Sequence, residues 1–233
     1  MGSGFEGFRQ EAFDFLIALG LNNDRAWFTP RKAEYEALLK EPLERFCVAL
    51  GEAFVAHGVP MRADERSPFR IYRDVRFSKD KSPYKTNLGA SFPWAGEGGG
   101  VGGYLHFAPG ESWTGGGMYH PSPARLAAWR SAVVNDRRGV HRAIDDKAFV
   151  KAYGKVSEEE ALKRVPTGYD PADPDAGLLK LKGVVFGRPV NDAEALSKDL
   201  PERIASDLAA SVPVMRYLAM LPGLEEGSPG WLR

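Results

Sequence analysis

FRIYRDVRFSKDKSPYKTN, Phe69 to Asn87, is the stretch on which the fold reading turns. Phe69, Ile71, Val75 and Phe77 alternate with polar residues, aromatic and β-branched types are frequent, and Pro68 opens the run. That pattern predicts a strand over about Phe69–Phe77. Strand faces alternate, so Arg70, Tyr72, Asp74 and Arg76 share one face, while Arg73 falls between Ile71 and Val75 on the apolar one. An arginine there needs a carboxylate or backbone carbonyls, which makes Arg73 a structural brace. Ser78 to Pro83 has turn composition, and a return strand from Tyr84 to about Trp94 brings Lys85 and Asn87 beside the first strand's polar groups. A helix carrying Arg70, Arg73, Arg76 and Lys79 in one stripe is the competing reading; the composition favours the strand.

Outward from this hairpin the chain alternates between helical and extended patterns. Phe8, Ala12, Phe15 and Leu19 repeat at helical spacing, and Gly20 stops the run. Asn22 or Asn23 caps a short turn carrying Trp27 and Phe28. Tyr35, Leu38 and Leu39 mark a second helix, and Pro42 starts a third with Leu43, Phe46, Leu50 and Phe54, so residues 1–60 form a helical layer. Residues 68–120 hold the strands, with two more at about Tyr104–Ala108 and Trp113–Tyr119 separated by the Pro109-Gly110 turn. Residues 122–233 are mainly helical: Ser122 and Pro123 open one helix, Asp145–Tyr153 and the SEEE box at Ser157 suggest others, and Asp192–Ala210 and Val212–Leu221 close the pattern. Leu178–Phe186 supplies a possible fifth strand. The expectation is a single α+β domain, 1–233, with a central antiparallel sheet of about four or five strands and N-terminal and C-terminal helices packed on it.

Composition narrows the function classes. The 233 residues hold 31 basic and 31 acidic side chains, so no global field favours nucleic acid or an anionic membrane. Cys47 is the single cysteine, placed in an apolar helical pattern and read as a buried hydrophobe; a multi-cysteine zinc site is excluded. No apolar run of membrane length and no leader pattern is visible, and a cytoplasmic protein is expected. Nothing in the sequence sets an oligomeric state.

The local chemistry is less even. Between Arg70 and Lys85 lie six cations (Arg70, Arg73, Arg76, Lys79, Lys81, Lys85) and two carboxylates (Asp74, Asp80). Arginine takes carboxylate or phosphate through a planar fork and lysine adds a point charge, so the shared preference is an anion. The candidate ligand-binding set is Arg70, Tyr72, Asp74, Arg76, Lys81, Lys85, His106 and Tyr119. The glycine-rich GEGGGVGG at Gly96–Gly103 lacks the lysine and hydroxyl of a phosphate-binding loop and sits in no βαβ unit. His106 and His120 have no helical partner at ligand spacing, and Ser112 sits in no nucleophile elbow; no metal and no cofactor are expected. Gly115, Gly116 and Gly117 leave room for a ligand or another chain segment to approach.

NNDRAWF (Asn22 to Phe28), the Phe69–Asn87 stretch, GYLHFAPGES (Gly103 to Ser112), GGGMYHP (Gly115 to Pro121) and LKRVPTGYD (Leu162 to Asp170) together resemble a family of uncharacterised proteins of bacteria and some fungi, catalogued as a domain of unknown function. The resemblance spans nearly the whole chain and implies no reaction, cofactor or catalytic residue. The extra glycines of Gly96–Gly103 depart from it only in one loop's length. Three readings of the cationic stretch therefore stand side by side. It binds a phosphorylated or carboxylated small molecule; or it is an internal Arg/Lys/Asp salt-bridge brace in a structural or interaction protein; or it contacts a nucleic-acid backbone, with Tyr72, Tyr84 or Trp94 stacking bases.

Overall fold

Leu88–Pro93 (β1), Gly102–Phe107 (β2) and Trp113–Met118 (β3) form consecutive antiparallel hairpins, and Val184–Pro189 (β4) joins β3 from far along the chain. In this computed structural model, which describes residues 4–223, the sheet order is β1-β2-β3-β4. The protein is a single α+β domain. The last ten residues of the helical region expected over 122–233 lie outside the described residues.

The core face of the sheet carries Phe92, Leu105, Phe107 and Phe186, all buried. Gln10–Leu21 (α1) reaches it through Phe13, stacked 4.7 Å from Phe107. A short turn follows, made of Arg25–Phe28 (α2) and a 3-10 segment at Thr29–Arg31. From there Lys32–Tyr35 (α3), a π-helical turn at Glu36–Lys40 and Glu41–Ala56 (α4) run on without a break, so the second and third expected helices are one. Pro42 stands in the first turn of α4 as expected, but Lys40 before it is itself helical, so no break separates α4 from the π turn. Phe54 of α4 meets Phe92 edge-on at 5.7 Å. The α1–α2 cap is Asp24, which accepts from the Trp27 amide at 2.8 Å, rather than Asn22 or Asn23. Asn23 instead pairs with the Tyr84 backbone in both directions, donating at 2.9 Å and accepting at 3.1 Å, and so ties the helical layer to the hairpin.

Between β3 and β4 the chain makes a helical excursion: Pro123–Asn135 (α5), Arg137–Ile144 (α6), Lys147–Tyr153 (α7) and the turn Ala176–Leu179 (α8). Ser122 caps α5 as its sequence suggests, accepting from Arg125 N. The SEEE box starts no helix; Ser157 accepts only from Glu159 N, and its own amide donates to Val185 O along β4. After β4, Asp192–Ala195 (α9), Leu200–Ala210 (α10) and Val212–Ala219 (α11) complete the described chain. Cys47 is fully buried in α4, and desolvation pushes its thiol up.

The expected strand at Phe69–Phe77 does not form. Its inward and outward alternation persists from Ile71 to Arg76, but the segment makes only single bridges, Pro68 to Ala90 and Tyr72 to Tyr84. Four backbone bonds hold it: Ser91 N to Ser67 O, Phe69 N to Gly89 O, Lys85 N to Ile71 O and Arg73 N to Pro83 O. The first pair lies against β1 and the second within the hairpin, so the segment changes partner midway and never builds a ladder. Phe77, expected in the core, is 96% exposed.

Arg125 holds the helical excursion to the sheet. It is 3% exposed, and its guanidinium donates to Leu221 O (2.9 Å), Leu218 O (2.6 Å) and Ala219 O (3.2 Å) at the end of α11, and to Gly99 O in the β1–β2 loop. A cation at a helix C-terminus meets both its orphan carbonyls and its dipole. Arg125→Met strands several buried carbonyls and is expected to cost about 3 kcal/mol or more. Urea denaturation measures it; a loss within the range of ordinary surface substitutions contradicts the brace.

Candidate functional site

Strand parity divides the sheet. On the face opposite the core, β2 presents Tyr104 and His106, β3 presents Trp113, and β4 presents Gly187. Tyr104 and His106 are half-buried, Trp113 is 39% exposed and Gly187 is exposed, so this outer face is only partly covered. Phe69 reaches over it because Gly89 has no side chain: a Cβ there would lie 2.9 Å from Tyr104 Oη and 3.2 Å from the Phe69 ring. The rings then run in series, Phe69 to Tyr104 at 6.0 Å, Tyr104 to Trp113 at 4.9 Å and His106 to Trp113 at 6.1 Å with planes 13° apart.

Polar groups border this aromatic floor. Asn87 Nδ2 and Tyr104 Oη approach His106 Nδ1 at 3.3 and 3.4 Å. Two donors converging on Nδ1 make it the acceptor and assign the ring proton to Nε2. Burial lowers the His106 pKa, with Glu111 partly opposing. Burial pushes the Tyr104 phenol up to about 12, with Tyr119 adding to the shift; that coupling places Tyr119 in the same neighbourhood.

Lys85 stands at the edge of the floor. Its Nζ lies 5.3 Å from the Phe69 ring centroid and donates to Arg70 O at 3.0 Å. No carboxylate reaches it among the described residues. Its pKa is lowered, first by burial and then by the charge of Arg70, whose guanidinium likewise has no ion-pair partner among the described residues.

The rest of the cationic stretch is committed elsewhere. Arg76 forks onto Asp74, Nε to Oδ1 at 3.0 Å and Nη2 to Oδ2 at 2.6 Å, and this pair holds Asp74 at about 2. Arg73 points inward and bonds Asp80 and Ser82 O, while Lys81 donates to Val75 O at 2.9 Å. Tyr72 leans on Tyr84, which stacks on Phe28 of the helical layer at 4.0 Å. Of the candidate set the structure therefore gathers Lys85, Arg70, His106 and Tyr119 around the outer face, and leaves Tyr72, Asp74, Arg76 and Lys81 along the projecting hairpin. Phe69, Asn87, Tyr104 and Trp113 belong to the face and were absent from the set. Their signal was cross-strand register, which requires knowing which residue of β2 opposes which of β3.

Other sequence features resolve into structure. Ser112 is buried and exchanges hydrogen bonds with the Ala108 backbone through its hydroxyl. Tyr84 and Trp94 are buried. A Cβ on Gly115 or Gly117 would overlap the Phe186 or Val184 carbonyl, so the glycine run admits β4. Among the described residues no group of three or more His, Cys, Asp or Glu side chains could hold a metal, and no helix is long and apolar enough to cross a membrane. Two shallow clefts lie elsewhere: one of about 400 Å³ between α5 and α11, and one of about 560 Å³ lined by His57, Arg188 and Glu202.

The two inner arginines separate in stability. Arg76→Ala removes a fully exposed pair and leaves the urea midpoint unchanged, because solvent screens such pairs. Arg73→Met lowers the midpoint, since it loses the bond to the Ser82 carbonyl as well as the ion pair with Asp80, which keeps only its bonds from Ser82. Equal midpoints for both variants contradict the brace at Arg73.

No curated protein and no solved structure matches this sequence. Residues 11–217 match the family described as a conserved hypothetical protein, DUF2461, and the chain belongs to that family.

Proposed function

We propose that the edge of the outer face, at Lys85 and Arg70, binds the anionic group of a phosphorylated or carboxylated small molecule. The observation that carries this reading is charge without compensation. Lys85 and Arg70, the first of them half-buried, make no ion pair among the described residues, whereas Arg73 and Arg76 in the same stretch each have one; Arg70 acts on Asp74 only at longer range. Placing like charges together and desolvating one is unfavourable unless a ligand or solvent anion answers them. The Arg70 carbonyl takes one of three ammonium donors, which leaves two for an anion.

Sulfate titration by calorimetry tests it. Lys85→Met is expected to weaken binding about tenfold, equivalent to about 1.4 kcal/mol; Arg76→Ala is expected to change it less than twofold. An unchanged affinity for Lys85→Met overturns the assignment.

The pH dependence has a definite sign. Binding needs the protonated ammonium, and the Lys85 pKa lies below the ordinary lysine value. Sulfate affinity therefore falls as pH rises from 7 toward 10 in the native protein. In Lys85→Arg the fall disappears, because guanidinium stays charged throughout. A flat native profile contradicts a role for Lys85.

A further inference from the structure

The anion reading uses one edge of the outer face and leaves the other unexplained. There Trp113 begins β3 with 39% of its surface exposed, held in a fixed orientation by Tyr104 and by the nearly parallel His106 ring opposite it in register. On the β4 side Trp113 pairs in register with the exposed Pro189, and its ring lies beside the exposed Gly187, where an added Cβ would come within 3.4 Å of it. An oriented, accessible indole is a stacking platform.

The separation of platform and cations is set by the fold. Phe69 bonds to β1 at Gly89, Gly89 faces His106, and His106 faces Trp113. Three neighbour spacings of about 4.8 Å put the Trp113 backbone about 14 Å from the Phe69 backbone, and through Tyr104 their rings lie within about 11 Å of each other. That distance exceeds what a single small anion covers and suits a molecule with two unlike ends.

We propose that the outer face takes a ring-bearing anion, its planar ring stacked on Trp113 and its anionic group, carried on a spacer several bonds long, held by Lys85 and Arg70. The proposal rests on the anion reading above and adds the ring and the spacer to it. Charge complementarity selects the occupant: an apolar ring alone leaves the two cations unanswered, and a bare anion leaves the indole unused. A nucleic-acid strand would need a row of accessible rings, and Tyr84 and Trp94 are buried.

Calorimetry with pyrophosphate, adenosine diphosphate, adenosine and a short single-stranded oligonucleotide tests this on the full chain. The diphosphate nucleoside is expected to bind about tenfold more tightly than pyrophosphate, the usual scale of one aromatic stack. Trp113→Ala brings its affinity down to that of pyrophosphate and leaves pyrophosphate binding unchanged; Trp113→Phe keeps most of the advantage. Circular dichroism checks that each variant folds; if Trp113→Ala does not, the native ligand comparison and Trp113→Phe decide. Equal affinities for nucleoside diphosphate and pyrophosphate overturn the ring and leave the anion reading standing. Adenosine as tight as its diphosphate overturns the two-ended ligand. Binding of neither anion overturns both readings, and an oligonucleotide tighter than the nucleoside diphosphate replaces the small molecule with a strand.

Discussion

The close approach of β3 and β4 is the constraint on which the sheet and its outer face both depend. β4 arrives after a helical excursion of more than fifty residues, and it can pair along β3 only where β3 has no side chains in the way. Gly115 and Gly117 meet the β4 backbone at positions where a Cβ would overlap the Phe186 and Val184 carbonyls, and Gly117 adopts φ of 131°, open to glycine and strained for other residues. The same strand that admits β4 on one side leaves a low floor beside Tyr104 on the other. Its first residue, Trp113, then stands clear above that floor.

The hairpin before β1 shows how one cation-rich stretch can be divided by geometry. Arg73 and Arg76 sit within reach of acidic residues placed by tight local turns, Asp80 and Asp74, so their charges are answered within a few residues. Lys85 lies on the returning limb, beyond ion-pair reach of both carboxylates, and its ammonium lies over the Phe69 ring. An ammonium partly withdrawn from water next to another cation is the less comfortable arrangement, and such arrangements concentrate at binding sites more than at structural ones. The proposed ligand site follows from that contrast and not from the number of basic residues.

Scaffold and face are joined by a few polar clamps rather than by apolar packing alone. Asn23 mimics a strand partner for Tyr84, which fixes the hairpin to the helical layer at a point where the chain has no regular secondary structure. Arg125 gathers carbonyls from α11 and the β1–β2 loop, so the helices that follow β3 hold the loop that precedes β2. Lys85, next to Tyr84, takes its position in part from the first of these clamps, while Phe69 is held by its bond to Gly89 of β1. The hairpin has no ladder of its own to supply these positions.

Several levels of this organisation are legible in the sequence itself. Local rules of period, capping and turn composition suffice for the helical layer, for the β2 and β3 strands with their Pro109-Gly110 turn, and for Ser122 as a cap, because each depends on neighbours within a few residues. The excess of positive charge at Arg70–Lys85, with Lys85 in it, is likewise plain in the composition of one stretch. Tertiary structure alone decided that Phe69–Phe77 pairs with two partners and so forms no strand, that Arg76 is taken by Asp74 while Lys85 is left unanswered, and that Trp113 faces His106. The reason is physical: alternation records which side of a chain is apolar, but ladder formation, ion pairing and register depend on what lies across the gap. That partner lies 22 positions away for Pro68 and Ala90, and as many as 76 away for Trp113 and Pro189 at the β3–β4 seam.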